Sequence, residues 1–124
     1  MIKAAIPVLH VSNSAAAKRF YCEQLGFRRE FAYRADESRI DPCYTGITRE
    51  QVEIHLSSFS GDGVAGAVVN FVVDDVDAMH AEFRDKNVPI EAGHPVNQTW
   101  GTREMYVTDA DGNSLRFQKI LGSV

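Results

Sequence analysis

The strongest constraint in this 124-residue sequence is that its order of segments is written twice. Ala4–Val11 is apolar and strand-like, a break follows at Ser12-Asn13, and a helix-favouring run from Ala15 to Leu25 ends at Gly26. Ala17, Phe20, Tyr21 and Leu25 have helical spacing; Ser12 or Asn13 can cap the start and Gly26 can close the end. Half a chain length later the order returns. Ala67–Val73 is an apolar strand, Asp74-Asp75 can cap, Val76, Met79, His80 and Phe83 form a helical stripe, and Asn87 stands near the helix end. The strand-like pieces after the first helix are Phe27–Ala35, Ile40–Thr48 and Gln51–Ser58; after the second they are Val88–Ala92, Thr102–Thr108 and Ser114–Ile120. Ile54-His55-Leu56 and Leu115-Arg116-Phe117 occupy equivalent places. The pattern predicts one α+β domain over 1–124 built from two βαβββ modules, about 1–62 and 63–124. One helix covers one face of each small sheet. The other face must pack, pair with a second chain, or line a cleft.

Composition removes several alternatives. Hydrophobic residues make up 44% and charged residues 24%, the values of an ordinary globular domain. Thirteen basic against seventeen acidic side chains give a charge of −4, which opposes a nucleic-acid partner. No apolar run approaches the roughly 18 residues of a membrane span. The Met1–Val11 stretch is short for a secretory leader, so a soluble cytoplasmic protein is expected. Cys22 and Cys43 form no C-x-x-C pair, which disfavours a disulfide scaffold or zinc finger.

Strand parity sorts the side chains further, because successive residues point to opposite faces. Leu9 and Val11, Ile54 and Leu56 (with Val52), Met105 and Val107, and Leu115 and Phe117 suit the helix side. The opposite set gathers His55, Arg116, Asn70, Tyr106 and Glu104. That wall reads either as a solvated sheet face or as a ligand cleft in which aromatic and polar groups converge.

Two stretches carry a family likeness. Ala5-Ile6-Pro7-Val8-Leu9, with Phe20-Tyr21 on the helix and Leu25-Gly26-Phe27 at its end, resembles the opening of bleomycin-resistance proteins. The run Trp100-Gly101-Thr102-Arg103-Glu104, with Asp109-Ala110-Asp111-Gly112-Asn113-Ser114-Leu115-Arg116-Phe117, resembles their closing motif; Ala110 replaces the usual proline. The resemblance spans nearly the whole chain and places it with the vicinal-oxygen-chelate superfamily, which also holds glyoxalases, extradiol dioxygenases and fosfomycin-resistance enzymes. It implies paired βαβββ modules forming a curved mixed sheet around a cleft, and a homodimer that exchanges its first strands about the proline matched by Pro7, with drug grooves between chains. In the superfamily's enzymes four strands each supply a metal ligand. The matching positions here are Ile6, His55, Val68 and Arg116, a set that cannot replace a cation's water shell, so neither metal nor cofactor is expected.

The expected ligand-binding residues are Phe31, His55, Phe59, Asn70, Trp100, Tyr106 and Arg116. Trp100 and Phe31 match family aromatics near the groove, where a ring can stack on a planar ligand; the plainer alternatives are a surface or dimer-packing indole and a core phenylalanine. Phe59, in the Ser57–Gly66 loop, lies over the groove or at a dimer contact. His55 either bonds the ligand or is a satisfied histidine, and Arg116 either lines the groove or pairs with Glu53 or Glu104. Asn70 offers donors and acceptors, and Tyr106 a ring and a hydroxyl. Nucleophile readings are weak: Cys22 lies near a helix C-terminus, Cys43 has no histidine beside it in sequence, and no nucleophile elbow, P-loop or dinucleotide fingerprint is present. The leading expectation is non-catalytic sequestration of a bleomycin-like or other bulky aromatic antibiotic. The rival is a metal-dependent lyase, isomerase or dioxygenase acting on a small metabolite through His10, His55 and Glu104.

Overall fold

A computed structural model describes residues 1–122. They divide into two compact units, one from Met1 to Ala67 and the other beginning at Val68.

In the first unit β1 (Val8–His10) leads to α1 (Ser14–Lys18), which runs on as a π-helical segment over Arg19–Gln24. Asn13 is the cap that forms: its side chain accepts the Ala16 N–H at 2.9 Å. The helix predicted over Ala15–Leu25 therefore changes pitch at Arg19, with the Leu25 N–H reaching the Phe20 carbonyl. Both Tyr21 and Leu25 on this segment are fully buried. Strands β2 (Arg28–Tyr33), β3 (Tyr44–Arg49) and β4 (Val52–Ser57) complete a four-stranded mixed sheet in the order β1-β4-β3-β2. β1 runs parallel to β4, with Val8 opposite His55 and Leu9 opposite Leu56.

The second unit repeats this plan. β5 (Val68–Val72), α2 (Val76–Asp85), β6 (Val96–Asn97), β7 (Thr102–Thr108) and β8 (Ser114–Ile120) give the sheet order β5-β8-β7-β6, with β5 parallel to β8. Asp75 caps α2 by accepting the Ala78 N–H at 3.0 Å, and Asn87 ends it at φ +59°. The fold is thus α+β with two four-stranded mixed sheets, as the repeat predicted.

Helix-side parity holds almost throughout: Leu9, Val11, Ile54, Leu56, Met105, Val107, Leu115 and Phe117 are all buried. Phe117 stacks on Phe71 at 4.9 Å and meets Phe83 edge-on at 5.2 Å. Val52 departs from its set, lying exposed at the hairpin end of β4.

Three strand expectations need correction. The piece predicted over Ala4–Val11 is a strand only over Val8–His10, with the Pro7 carbonyl and the Val11 N–H bonding β4 at either end, and the residues before β1 are exposed. Ile40–Thr48 is shortened to Tyr44–Arg49: Pro42 has no N–H to give a ladder, and Asp41 turns its carboxylate to the Ser14 N–H and the Ser58 hydroxyl. Val88–Ala92 is not a strand. Pro89 precedes a 3-10 turn at Glu91–Gly93, where Ala92 and Gly93 take positive φ, and the edge of the sheet is supplied by Val96–Asn97. Where the family carries a proline at position 110, the β7–β8 turn is clamped by Asp109, whose carboxylate accepts the Asp111 and Asn113 N–H groups and the Asn113 amide at 2.9 Å each.

Candidate functional site

In the first unit the outward face of the sheet is aromatic. Tyr44 and His55 are side by side on β3 and β4, with the Tyr44 hydroxyl 2.7 Å from His55 Nδ1 and Glu53 Oε2 2.7 Å from His55 Nε2. A carboxylate can only accept, so Nε2 carries a proton toward Glu53, while Nδ1 and the Tyr44 hydroxyl share the other hydrogen bond. Burial, then the charges of Asp62 and Glu53, push the Tyr44 phenol up, which keeps it protonated. Phe31, on β2, meets His55 edge-on at 5.4 Å and lies nearly parallel to Tyr44 at 6.3 Å. Its position depends on Gly46 opposite it on β3: a Cβ there would clash with the Phe31 ring. The ring is 41% exposed, which settles the choice between core and surface for Phe31 in favour of surface. Phe59 finds a partner in Tyr33, parallel at 6.2 Å.

The second unit gathers its polar residues around Glu104, only 5% exposed. Its Oε2 accepts the Trp100 indole N–H at 2.8 Å and the Thr102 hydroxyl at 2.5 Å. Burial pushes this carboxyl up, but the hydrogen bonds from Thr102, Trp100 and Tyr106 together with the charge of Arg116 outweigh it, and the net effect is downward. Burial and then Glu104 raise the Tyr106 phenol. Among the described residues Arg116 forms no salt bridge with Glu104; its guanidinium sits 4.9 Å from the Tyr106 ring centre and its Nε approaches Ser114 Oγ at 3.4 Å. Asn70 lies opposite Arg116 in the parallel register and is exposed. Trp100, with its nitrogen held, still exposes 52% of its surface. Beside this cluster Glu91, His94, Val96, Gln98, Glu104 and Tyr106 line a hollow of about 110 Å³.

The structure thus joins Phe31 with His55 in one unit, and Trp100, Tyr106 and Arg116 through Glu104 in the other. Sequence reasoning missed Tyr44, Gly46 and the anchoring role of Glu104. Parity alone could have placed Tyr44 beside His55, whereas the need for a glycine under Phe31 leaves no trace in sequence.

A cation does not fit these groups. Both nitrogens of His55 are engaged, and Ile6, Val68 and Arg116 offer no donor. His10 Nδ1 lies against the Asp62 carbonyl at 3.3 Å, His80 against the Gly93 carbonyl, and His94 against that of Pro95. Among the described residues no three His, Cys, Asp or Glu side chains converge in a way that could hold a metal ion, and no helix is long and apolar enough to cross a membrane.

Solved structures share this fold at low sequence identity. A bleomycin resistance determinant encoded on the transposon Tn5 superposes with a TM-score of 0.76 at 19% identity, covering 96% of this chain and 98% of that one. A bleomycin-binding protein from bleomycin-producing Streptomyces verticillus, complexed with copper(II)-bleomycin, gives 0.67 at 24% identity, with coverage of 94% and 97%. An antibiotic-binding protein from Streptomyces sp. CB03234 gives 0.68 at 24%, with coverage of 97% and 98%. None of the curated proteins matches the sequence. The family model described as glyoxalase superfamily protein matches residues 1–122, and the chain belongs to that superfamily.

Proposed function

We propose that the protein captures a bulky aromatic antibiotic of the bleomycin type and protects by holding it, without chemical turnover. The observation that carries this reading is Trp100. Its indole is half-exposed yet fixed at its nitrogen by a buried carboxylate, a preorganised plane on which a flat heteroaromatic ring can stack with little loss of side-chain freedom. In the first unit the parallel Phe31 and Tyr44 rings are a second stacking surface, and in the second the exposed Asn70 amide and the Tyr106 hydroxyl offer hydrogen bonds. Residues 68–122 contain nine acidic against five basic side chains, a balance that suits a cationic guest. The same reading includes a homodimer with exchanged first strands, two drug grooves and a cytoplasmic location. Sequestration acts by mass action, so it demands tight affinity and abundance rather than rate.

Isothermal titration with metal-free and copper-loaded bleomycin tests the reading. Micromolar or tighter binding is expected, and Trp100→Ala should weaken it by up to about tenfold, the equivalent of the roughly 0.5–1.5 kcal/mol of a stacked ring pair. Sedimentation should find a dimer. No heat with either form of the drug, together with stoichiometric zinc, iron, manganese or nickel in protein purified without chelator, would replace this reading by a metal-dependent enzyme.

A further inference from the structure

The first unit has a second feature, on the sheet face opposite the Tyr44–His55 surface. Ala32 and Thr45 are the strand neighbours of Phe31 and Tyr44 and so point the other way, toward α1. There they join Ser14, Ala15 and Lys18 of the helix in lining a hollow of about 270 Å³, just below the roughly 300–1,000 Å³ of drug-sized sites. Its charge is one-sided. Lys18, Arg29 and Arg34 all line it, and none of the three is held in a salt bridge among the described residues. Arg34 gives its Nε to the Ile40 carbonyl at 2.8 Å, which fixes the guanidinium at the rim. Asp41, whose carboxylate feels the charge of Arg34, accepts the Ser14 N–H and the Ser58 hydroxyl. Ser14 itself is buried at this hollow, beside the Asp41 carboxylate that its N–H bonds. The remaining lining is apolar or weakly polar: Ala15, Ala32, Ile40 and Cys43.

Three cations outside any salt bridge among the described residues, around an apolar hollow in a chain of net charge −4, call for a guest that is negative at one end and greasy at the other. We propose that this hollow binds a small amphipathic organic anion, its acidic head at Lys18, Arg29 and Arg34 and its apolar body against Ala15, Ala32 and Ile40. None of the residues assigned to antibiotic capture lines it, so the two sites stand or fall separately.

Octanoate, octylamine and inorganic phosphate, titrated calorimetrically into the full-length protein, test the proposal. Octanoate should bind at one site per chain, weaken with added salt, and leave bleomycin binding unchanged. Octylamine should not bind, and phosphate should bind more weakly than octanoate. The double variant Arg29→Gln/Arg34→Gln should lose about tenfold or more in octanoate affinity, and Arg29→Lys/Arg34→Lys should recover most of it. Ala32→Trp, which fills the hollow without touching a charge, should abolish binding while circular dichroism stays native. Absence of octanoate binding, equal binding of octylamine, or undiminished affinity in the double Gln variant or in Ala32→Trp would each overturn the proposal.

Discussion

The first unit carries eight basic and eight acidic side chains, the second five and nine up to residue 122, although the two share one strand order. The register shows where they agree and where they part. Leu9 faces Leu56 across β1 and β4, and Phe71 faces Phe117 across β5 and β8: apolar pairs at the same place in each sheet. One step along, Val8 faces His55, but Asn70 faces Arg116. Inward positions are held to one chemistry because exposing them forfeits burial. Outward positions carry no such obligation, and here they have diverged into an aromatic, hydrogen-bonded surface in one unit and a carboxylate-centred one in the other. Topology and chemistry are written on opposite faces of the same strands.

Emptying the inward positions should break the likeness most severely. Phe117→Ala removes a ring held between Phe71 and Phe83 and is expected to cost about 3–5 kcal/mol; Leu56→Ala, at the corresponding place, should cost about 2–5 kcal/mol. Urea denaturation measures both, and a near-neutral Leu56→Ala would show that the units do not depend on this face alike. Next comes the outward carboxylate of the second unit. Glu104→Gln retains an acceptor for Trp100 and Thr102 but loses the charge, a difference of ~1–1.5 kcal/mol between charged and neutral hydrogen bonds. The folded-state pKa of Glu104 lies below its unfolded value, so its stabilisation is present above about 4.3, the ordinary glutamate value, and is lost as pH falls through the lower folded one. The gap between wild type and Glu104→Gln should therefore close on acidification in that window; a constant gap would deny the ionised form its role.

The caps offer a finer comparison. Asn13→Ala and Asp75→Ala remove equivalent bonds at the starts of α1 and α2, and each should lower stability by ~1 kcal/mol in thermal unfolding. A clear excess at Asp75 would measure what the negative charge adds at a helix N-terminus. Smallest in energy is Gly46→Ala. The Phe31 ring it displaces is part-exposed and can swing outward, so stability should stay within about 0.5 kcal/mol. The ring-current shift that Phe31 imposes on His55 should nevertheless disappear from the NMR spectrum.

What was legible in the sequence follows the same division of faces. Period-two alternation marked Leu9, Ile54, Leu56, Leu115 and Phe117 as inward because burial leaves a pattern in the residue types. The bounds of β7 and β8 were readable too, since Thr102–Thr108 and Ser114–Ile120 flank a turn written in Asp, Gly and Asn. The Val88–Ala92 strand failed because β propensity says nothing about a chain that must turn at Ala92 and Gly93. On the site side, parity put Tyr106 and His55 on the outward wall and the family resemblance singled out Trp100, but the partners of all three were not legible. That Glu104 rather than Arg116 organises the second unit's polar face depends on which oxygens the Trp100 and Thr102 donors reach, a matter of distances that only folding specifies.

The bond from Trp100 to Glu104 has one more consequence. The protein has a single tryptophan, so light absorbed at the red edge of the near ultraviolet excites one chromophore. That chromophore is wired to a buried negative charge. Its emission colour and lifetime should register proton uptake at the carboxylate, and any planar guest laid on the exposed half of the ring should quench it. No label need be attached: the molecule already carries an optical gauge at the place where its chemistry is most concentrated.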